Sequence, residues 1–287
     1  MREELAPELQ RLRAPNPGPL TGTGTNTYLV GGGPFAVIDP GPDLDPHLDA
    51  ILRATGGAIS AILVTHSHLD HSALVPRLTR ATGATVYAFG PSGAGQSAVM
   101  AALGDGIGGG EGADPKFCPD IRVAQGEVID VGPDRFTAHH TPGHFGNHLC
   151  FEWRDALLSG DHVMGWATTL VSPPHGDLTD FMSSCARLAD VSARIFYPGH
   201  GEPVTEPGER IAELLAHRRS RETQILAALK ASPGTAGEIT ARVYTDVAPA
   251  LWPAAERNVL AHLIDLAGRG IVAHGGHLTA ESTFSLT

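Results

Sequence analysis

Three imidazoles and a carboxylate lie within six residues of this 287-residue chain. Residues 66–71 read His-Ser-His-Leu-Asp-His and follow the apolar run 61–65, which is typical of a buried strand, so a helix is predicted next, over 70–80. His66 and His68 share one face of an extended segment, because side chains two residues apart point the same way. Nitrogen and carboxylate ligands suit zinc, so the stretch predicts a metal site. The alternative is a polar loop with chance histidines, since the chain has 15 of them.

Three later segments share one pattern, an apolar run, then a glycine-containing turn, then a His or Asp. They are Thr-Pro-Gly-His at 141–144, Ser-Gly-Asp-His at 159–162 and Pro-Gly-His-Gly at 198–201. Glycine permits the tight turn and the close backbone approach that a metal pocket needs. Because the first cluster cannot close two metal sites alone, these strand ends are expected to supply the remaining ligands.

Together the motifs resemble those of the metallo-β-lactamase superfamily. The matching stretches are HSHLDH at 66–71, TPGH at 141–144, SGD at 159–161 and PGHG at 198–201, with the family's opening strands fitting 26–30 and 37–41. The resemblance covers about residues 20–205. It implies an α/β fold, the αββα sandwich.

The resemblance also implies a dinuclear site with seven ligands. One metal would take His66, His68 and His144, the other would take Asp70, His71 and His200, and Asp161 would bridge them. A carboxylate suits the bridge because it has two oxygens. Two divalent ions about 3.5–4 Å apart can lower the pKa of a shared water, so two zinc ions per chain are expected. Asp70 is the catalytic candidate, since it would orient the bridging hydroxide and receive its proton.

Residues beside the motifs have less certain roles. Asp39 either fixes a ligand imidazole, as metal sites commonly require, or is a turn residue before Pro40. His148 is a candidate for lining the pocket, whereas His140 and His162 are expected to be packed or to face solvent. Four further histidines are expected at the surface: His175, His217, His274 and His277.

The glycine-rich segment 90–115 contains a false match to a nucleotide-binding loop. Its glycine spacing fits, but Gln96 replaces the lysine that contacts phosphates, and Pro91 lacks a backbone N–H. We expect instead a mobile surface insertion beside the active-site mouth.

Composition favours a cytoplasmic enzyme. Apolar residues form 42% of the chain, enough for a core, yet no apolar run is long enough for a membrane span and residues 1–7 lack a signal-peptide core. Three widely spaced cysteines predict reduced thiols. The net charge is −11, and residues 1–208 hold 12 basic and 23 acidic side chains. That excess of acid disfavours long-range steering of polyanions.

A catalytic domain over 1–208 and a second domain over 209–287 are predicted. The pattern predicts helices over 209–231, 236–244 and 253–269, a capping box of Thr235 with Glu238, and a hairpin around Gly275 and Gly276. Helices followed by a hairpin predict a small α+β winged-helix domain. Its third helix has only Arg257 and Arg269 as basic residues. A packing or dimerising domain that shapes the active-site rim is therefore favoured over a nucleic-acid reader.

The whole arrangement is similar to the superfamily branch with a C-terminal winged helix, which includes endoribonucleases, and to glyoxalase-II-type thioesterases. We expect a zinc-dependent hydrolase whose metal-bridging hydroxide cleaves an ester-like bond, either a phosphodiester of RNA or a thioester. One alternative is a nucleic-acid-binding protein with an accessory metallodomain. Another is a β-lactam hydrolase, which Asp161 disfavours because those enzymes usually carry Cys or Ser there. Expected partners are a small ester or thioester or single-stranded RNA, with no membrane and with a homodimer as an option.

Overall fold

Two mixed β-sheets form the centre of the molecule. The computed structural model describes residues 2–110 and 112–287. The first sheet has seven strands in sequence order: β1 Arg2–Ala6, β2 Leu9–Arg13, β3 Asn26–Val30, β4 Phe35–Ile38, β5 Ile59–Leu63, β6 Thr85–Ala88 and β7 Ile121–Arg122. The second has the spatial order β12-β11-β10-β9-β8, with β8 Val128–Val131, β9 Asp134–His140, β10 Leu149–Trp153, β11 Ala156–Gly160 and β12 Ile195–Pro198. Strands β4 to β7 run parallel, as do β11 and β12, and the other pairs are antiparallel.

Helices cover the outer faces of both sheets. The α-helices of the described residues are α1 Asp45–Thr55, α2 Leu69–Ser72, α3 Val75–Thr82, α4 Ala98–Ala101, α5 Leu178–Leu188, α6 Pro207–Ala231, α7 Ala236–Val243 and α8 Trp252–Gly268. Helices α1 and α3 pack on the first sheet, whereas α5 and the start of α6 pack on the second. The predicted αββα sandwich is therefore confirmed. None of the described helices combines the length and the apolar character needed to cross a membrane.

Strand alternation builds the core between the sheets. In β5, Ala61 and Leu63 face the second sheet, while Ile62 between them packs toward α1 and α3. Phe136 and Ala138 of β9 enter the same inner layer from the opposite side. Because both faces of β5 are buried, the strand is fixed in position, and so is the chain that leaves its carboxyl end.

The prediction of one helix over 70–80 is wrong in extent, because two separate helices, α2 and α3, occupy this part of the chain. Leu74 donates its backbone N–H to the carbonyl of Gly41 (3.0 Å) instead of to a carbonyl one turn earlier. Pro76 has no N–H with which to continue the first helix, and it starts α3 instead. The short α2 therefore turns the chain directly after the histidine motif.

The C-terminal part forms the predicted winged-helix domain from the end of α6, α7, α8 and a two-stranded sheet. Thr235 and Glu238 make the predicted capping box at the start of α7. The predicted tight hairpin at 275–276 is wrong, because β13 Val272–His274 pairs with β14 Phe284–Leu286 across a longer loop. Phe284 is fully buried, so the second strand is set by a core side chain rather than by the glycine pair.

The segment 90–115 lies beside the cavity, as the sequence predicted, but three of its apolar side chains are buried rather than at the surface. Met100, Leu103 and Ile107 are buried in one apolar cluster with residues of α6 and α8. The carbonyl of Ile107 also accepts a hydrogen bond from Arg257 of α8 (2.7 Å). Apart from Glu111, which lies outside the described residues, the segment joins the sandwich to the C-terminal domain.

Candidate metal centre

The ends of four strands bring the seven candidate ligands to one edge of the sandwich. His66 and His68 follow β5, and α2 then presents Asp70 and His71. His144 follows β9, Asp161 follows β11 directly, and His200 follows β12. Glycine is required where the chain packs this closely, since a side chain on Gly199 would place its Cβ 2.3 Å from Oδ1 of Asp161.

The donor atoms form two adjacent groups. His66, His68, His144 and Asp161 make one group, and Asp70, His71 and His200 make the other, with the donor atoms in each group within 4.8 Å of one another. His68 Nδ1 lies 2.8 Å from His66 Nε2 and 3.0 Å from His144 Nε2. The structure therefore brings together all seven residues that the sequence named.

Asp161 stands between the two groups. Its Oδ2 lies 3.7 Å from Nε2 of His144 in one group and 3.3 Å from Nε2 of His200 in the other. Its Oδ1 is 3.5 Å from Nε2 of His71, and within the described chain this buried oxygen accepts no hydrogen bond. A buried carboxylate oxygen without a hydrogen bond calls for a cationic partner, because burying an uncompensated charge is costly.

One buried carboxylate orients an imidazole in each group. Asp39 Oδ2 lies 2.9 Å from Nδ1 of His71 and accepts the hydroxyl of Thr65 (2.7 Å). The hydroxyl of Thr65 lies 3.0 Å from Nδ1 of His66. If Nδ1 of His66 and Nδ1 of His71 both carry a proton, every donor in this hydrogen-bond network has an acceptor. The Nε2 lone pairs of both imidazoles then face the cluster. The contact with His71 decides between the two interpretations of Asp39 in favour of the imidazole-fixing role.

Charge differs between the two groups. Burial lowers the pKa of His66, His68 and His144, that of His68 to about 3, so these imidazoles are neutral and hold free lone pairs at neutral pH. Burial also opposes the charged form of His200, but Asp161 and Asp70 outweigh it and raise its pKa to about 9.

The carboxylates are concentrated around the second group. Burial would lower the pKa of His71, yet Asp70, Asp161 and Asp39 raise it well above its usual range. The pKa of Asp70 lies below its usual range because His71 and His200 outweigh the effect of burial. Its Oδ2 also accepts a hydrogen bond from the hydroxyl of Thr25 (2.9 Å), a contact that no motif indicated. Negative charge thus gathers at the point where a cation would sit.

The remaining histidines of the motifs lie outside the group of seven candidate ligands and pack around it. His148 does not line the pocket as the sequence suggested, because it is fully buried and stacks on His66 with ring centroids 5.1 Å apart. Its Nε2 accepts the backbone N–H of Asp161 (3.2 Å) and so helps to position that carboxylate. His162 is packed against Phe181 and His140 against Phe89, as expected of neighbours that lie outside the metal cluster.

A cavity of about 670 Å³ opens onto the cluster. Five of the candidate ligands line it: His68, Asp70, His144, Asp161 and His200. Apolar side chains form much of its wall, including Leu20, Leu69, Met164, Trp166 and Leu251. The opposite wall comes from α6, α8 and the loop between α7 and α8, so the C-terminal domain shapes the pocket.

The sequence predicted that the C-terminal domain shapes the rim of the active site, but it did not name the residues of this wall. His217 was expected at the surface, yet it lines the cavity together with Arg218, Arg221 and Tyr244. The stretch 217–226 resembles the winged-helix branch, but its place in the pocket depends on how α6 docks against the sandwich. Arg218 was a further signal, because it is a charged residue on the apolar stripe that predicted α6.

Comparison with known sequences and structures now identifies the family. Residues 20–200 match the family described as the metallo-beta-lactamase superfamily, and residues 235–280 match the beta-lactamase associated winged helix domain. This chain belongs to the metallo-beta-lactamase superfamily. The resemblance inferred from the motifs is confirmed, and so is the winged-helix branch.

Relatives in this superfamily extend over most of the chain. A Drosophila melanogaster protein named beta-lactamase-like protein 2 homolog is 30% identical over 280 residues, which are 91% of this chain and 88% of the relative. An atrochrysone carboxyl ACP thioesterase of Aspergillus fumigatus is 32% identical over 79% of this chain and 66% of its own. A metallo-beta-lactamase family protein of Thermus thermophilus has a TM-score of 0.81 and 27% identity, covering 99% of this chain and 100% of that one. Members of the superfamily are generally hydrolases.

Proposed function

We propose that this chain is a dinuclear metal-dependent hydrolase that cleaves a thioester or a related carboxylic ester. The observation that carries the proposal is that seven imidazole and carboxylate side chains converge where an apolar pocket meets the carboxyl ends of four strands. Water would add to the substrate carbonyl carbon, the bond from carbon to sulfur or oxygen would break, and an acid and a thiol or alcohol would leave.

The residues present fit two metal ions. His66, His68 and His144 would hold one ion, Asp70, His71 and His200 the other, and Asp161 both. Two observations support the fit. Nε2 of His71 and Nε2 of His200 lie only 3.3 Å apart, and the buried Oδ1 of Asp161 accepts no hydrogen bond from the described residues. Imidazole with carboxylate favours zinc, although imidazole also suits iron, so the zinc assignment is part of the proposal.

Bound there, two divalent ions would supply an acidified water and stabilise negative charge on the substrate oxygen. The residues of the chain do the rest. Asp70 is held by Thr25 and stands at the edge of the cavity, where it can take a proton from the attacking water. Asp39 fixes the imidazole of His71, and the apolar walls keep bulk water away from the reacting carbonyl.

The pocket favours a thioester or ester over RNA. Its walls near the cluster are apolar, with Met164, Leu170 and Trp166 beside His144 and Asp161. Single-stranded RNA needs a basic groove that follows its backbone. The cavity lining instead has two neighbouring arginines, Arg218 and Arg221, and residues 1–208 carry 12 basic and 23 acidic side chains. Fungal relatives are named as thioesterases, which supports the same choice. The C-terminal domain contributes pocket wall, and this supports a shaping role over nucleic-acid binding.

A metal analysis followed by a substrate panel tests the proposal. The purified chain is loaded with zinc and assayed on a glutathione thioester, bis-p-nitrophenyl phosphate, single-stranded RNA and a cephalosporin. We expect two ions per chain and turnover of the thioester. The variant Asp161→Ala should lose tight binding of both ions, whereas Asp190→Ala, an exposed aspartate on the loop after α5, should keep them.

Two results would overturn the proposal. A loaded protein that holds only traces of metal contradicts the dinuclear centre. Cleavage of RNA or of the cephalosporin without turnover of the thioester contradicts the substrate class. The cytoplasmic location, the homodimer and the domain division at residue 208 stay predictions.

A further inference from the structure

One turn of α6 places three nitrogen-rich side chains at the wall of the pocket. His217, Arg218 and Arg221 all line the cavity. Each has a buried ring or guanidinium nitrogen, Nδ1 of His217 and Nε of both arginines, without a hydrogen-bond partner in the described residues. Residues 217 and 221 are one helical turn apart, so the three side chains leave the helix on the same side. Buried polar groups are rarely left unpaired, so these side chains, which line the cavity, are candidates to contact a ligand there.

Arg218 carries the argument because its charge is buried. The residue is 2% exposed, and its guanidinium donates to Oδ1 of Asn258 (2.9 Å) and to the carbonyl of Thr169. Both acceptors are neutral, and no carboxylate among the described residues pairs with it. Burial lowers the pKa of Arg218 to about 10, so it stays cationic at neutral pH. A buried cation without an anionic partner is strongly unfavourable, and an anion in the cavity would relieve this.

Arg221 adds a second cation beside it. Its guanidinium lies over the ring of Tyr244 (3.8 Å to the centroid) and donates to the side-chain amide of Gln224 (2.6 Å). The nearest acid along the helix, Glu222, pairs with Arg269 instead (2.7 Å). No carboxylate of residues 2–110 or 112–287 therefore pairs with Arg218 or Arg221.

Hydrogen bonds of one residue connect the two ends of the cavity. Thr169 accepts from Arg218 through its carbonyl, and its hydroxyl donates to the backbone carbonyl of Asp161 (2.9 Å). One residue thus links Arg218 to the backbone of Asp161, the central carboxylate of the candidate metal centre. A substrate that reached both would be held at a fixed position relative to Asp161.

We propose that His217, Arg218 and Arg221 form an anion subsite, and that the substrate is a thioester or ester carrying a carboxylate or phosphate group apart from its reacting carbonyl. This inference rests on the proposed function and names its substrate class. Guanidinium groups bind either anion through paired N–H donors, so the acyl part or the leaving group can supply the charge. The apolar side chains between the two ends would contact the connecting part of the substrate.

Matched substrate pairs test the subsite in the metal-loaded full-length chain. The first pair is the N-acetylcysteamine thioester of hexanoic acid and that of adipic acid, which differ by a terminal carboxylate on the acyl part. The second pair is hexanoyl-pantetheine and hexanoyl-phosphopantetheine, which differ by a phosphate on the leaving group. We expect kcat/KM to be at least about tenfold higher for the anionic member of one pair, and that pair identifies the source of the charge.

Two variants on one helix separate the subsite from a general charge effect. Arg221→Gln should reduce the preference for the anionic member to within about twofold of unity, with the change mainly in KM. Arg219→Gln removes the same charge from an exposed position nearby and should retain the preference. Calorimetric titration with adipate or inorganic phosphate should show weaker binding to Arg221→Gln than to Arg219→Gln, a readout independent of turnover.

The outcomes distinguish this inference from the proposed function. Equal kcat/KM for both members of both pairs, or a preference that Arg221→Gln leaves intact, overturns the anion subsite while the hydrolase proposal stands. Absence of turnover with all four thioesters overturns the proposed function. In that case adipate or phosphate binding that depends on Arg221 would still support the subsite, and its absence would overturn the subsite as well.

Discussion

Replacing Asp39 by Asn should weaken metal binding without touching any of the seven candidate ligands. Oδ1 of Asp39 accepts the backbone N–H of Thr65 (2.7 Å), and Oδ2 accepts the Thr65 hydroxyl and faces Nδ1 of His71. An asparagine has one acceptor oxygen for these donors. Whichever way its amide is turned, its NH2 group meets at least one N–H or O–H donor. His71 can relieve the conflict only by moving its proton to Nε2, the atom that faces His200.

The size of the effect follows from these contacts. Loss of the group that orients a ligand imidazole lowers metal affinity about 10–100-fold, or about 1.4–2.7 kcal/mol. An unsatisfied buried donor costs about 1–3 kcal/mol of unfolding free energy even without metal. Competitive zinc titration against a chromophoric chelator measures the first effect, and urea unfolding of the metal-free protein measures the second.

A matched control is available a few residues away. Asp43 is exposed and pairs with Arg77 at the surface (2.7 Å), so Asp43→Asn makes the same chemical change outside the site. We expect its zinc affinity and stability to equal those of the unmodified chain. Zinc affinity of Asp39→Asn equal to that of Asp43→Asn at both sites would refute the role assigned to Asp39.

Three further predictions concern proton transfer, pH and packing. Asp70→Asn should lower turnover by at least about 100-fold while the melting temperature of the loaded protein changes little, and near-normal turnover would contradict its role as base. Burial lowers the pKa of His47 to about 4, so below about pH 6.5 the unfolded chain binds a proton at this residue that the folded chain does not bind. His47 alone should therefore contribute up to about 3 kcal/mol to the loss of stability of the metal-free protein between pH 6.5 and 4, and His47→Gln should reduce the slope in urea titrations by that contribution. Gly143→Ala would place a Cβ 2.3 Å from Cα of Phe181 at φ +141°, so it should destabilise the fold by about 2 kcal/mol or more, whereas Gly208→Ala, whose Cβ meets nothing within 4 Å, should unfold like the original chain.

The sequence was most informative where a short motif and a strand end coincide. Asp161 follows a strand that ends at Gly160, which made it a candidate, and the resemblance to the superfamily then implied that it is the bridging ligand. The long helix α6 and the capping box of α7 follow from local spacing and local hydrogen bonds in the same way. Features whose partners lie nearby in sequence were thus predictable.

Features set by distant contacts were not predictable. Pro76 favours the start of a new helix, but Leu74 leaves the helical hydrogen-bond pattern because its N–H bonds to the carbonyl of Gly41. Strand β14 begins at Phe284 because the ring of Phe284 enters a core built from α6 and α8. No turn motif in the sequence marks the start of this strand. The positions of His217, Arg218 and Arg221 at the cavity depend on how α6 docks against the sandwich. Periodicity along one element carries no information about which surface it will face.

The burial of Met100, Leu103 and Ile107 beside α8 makes the C-terminal domain depend on a segment synthesised long before it. Ile107 and its hydrogen-bond partner Arg257 are 150 residues apart. As the chain leaves the ribosome, the apolar cluster around these side chains is incomplete until α8 has emerged, and closing so long a loop is slow. We therefore expect the last contacts of folding to be those that close the pocket wall, so that a nascent chain completes its core and its substrate cavity in the same event.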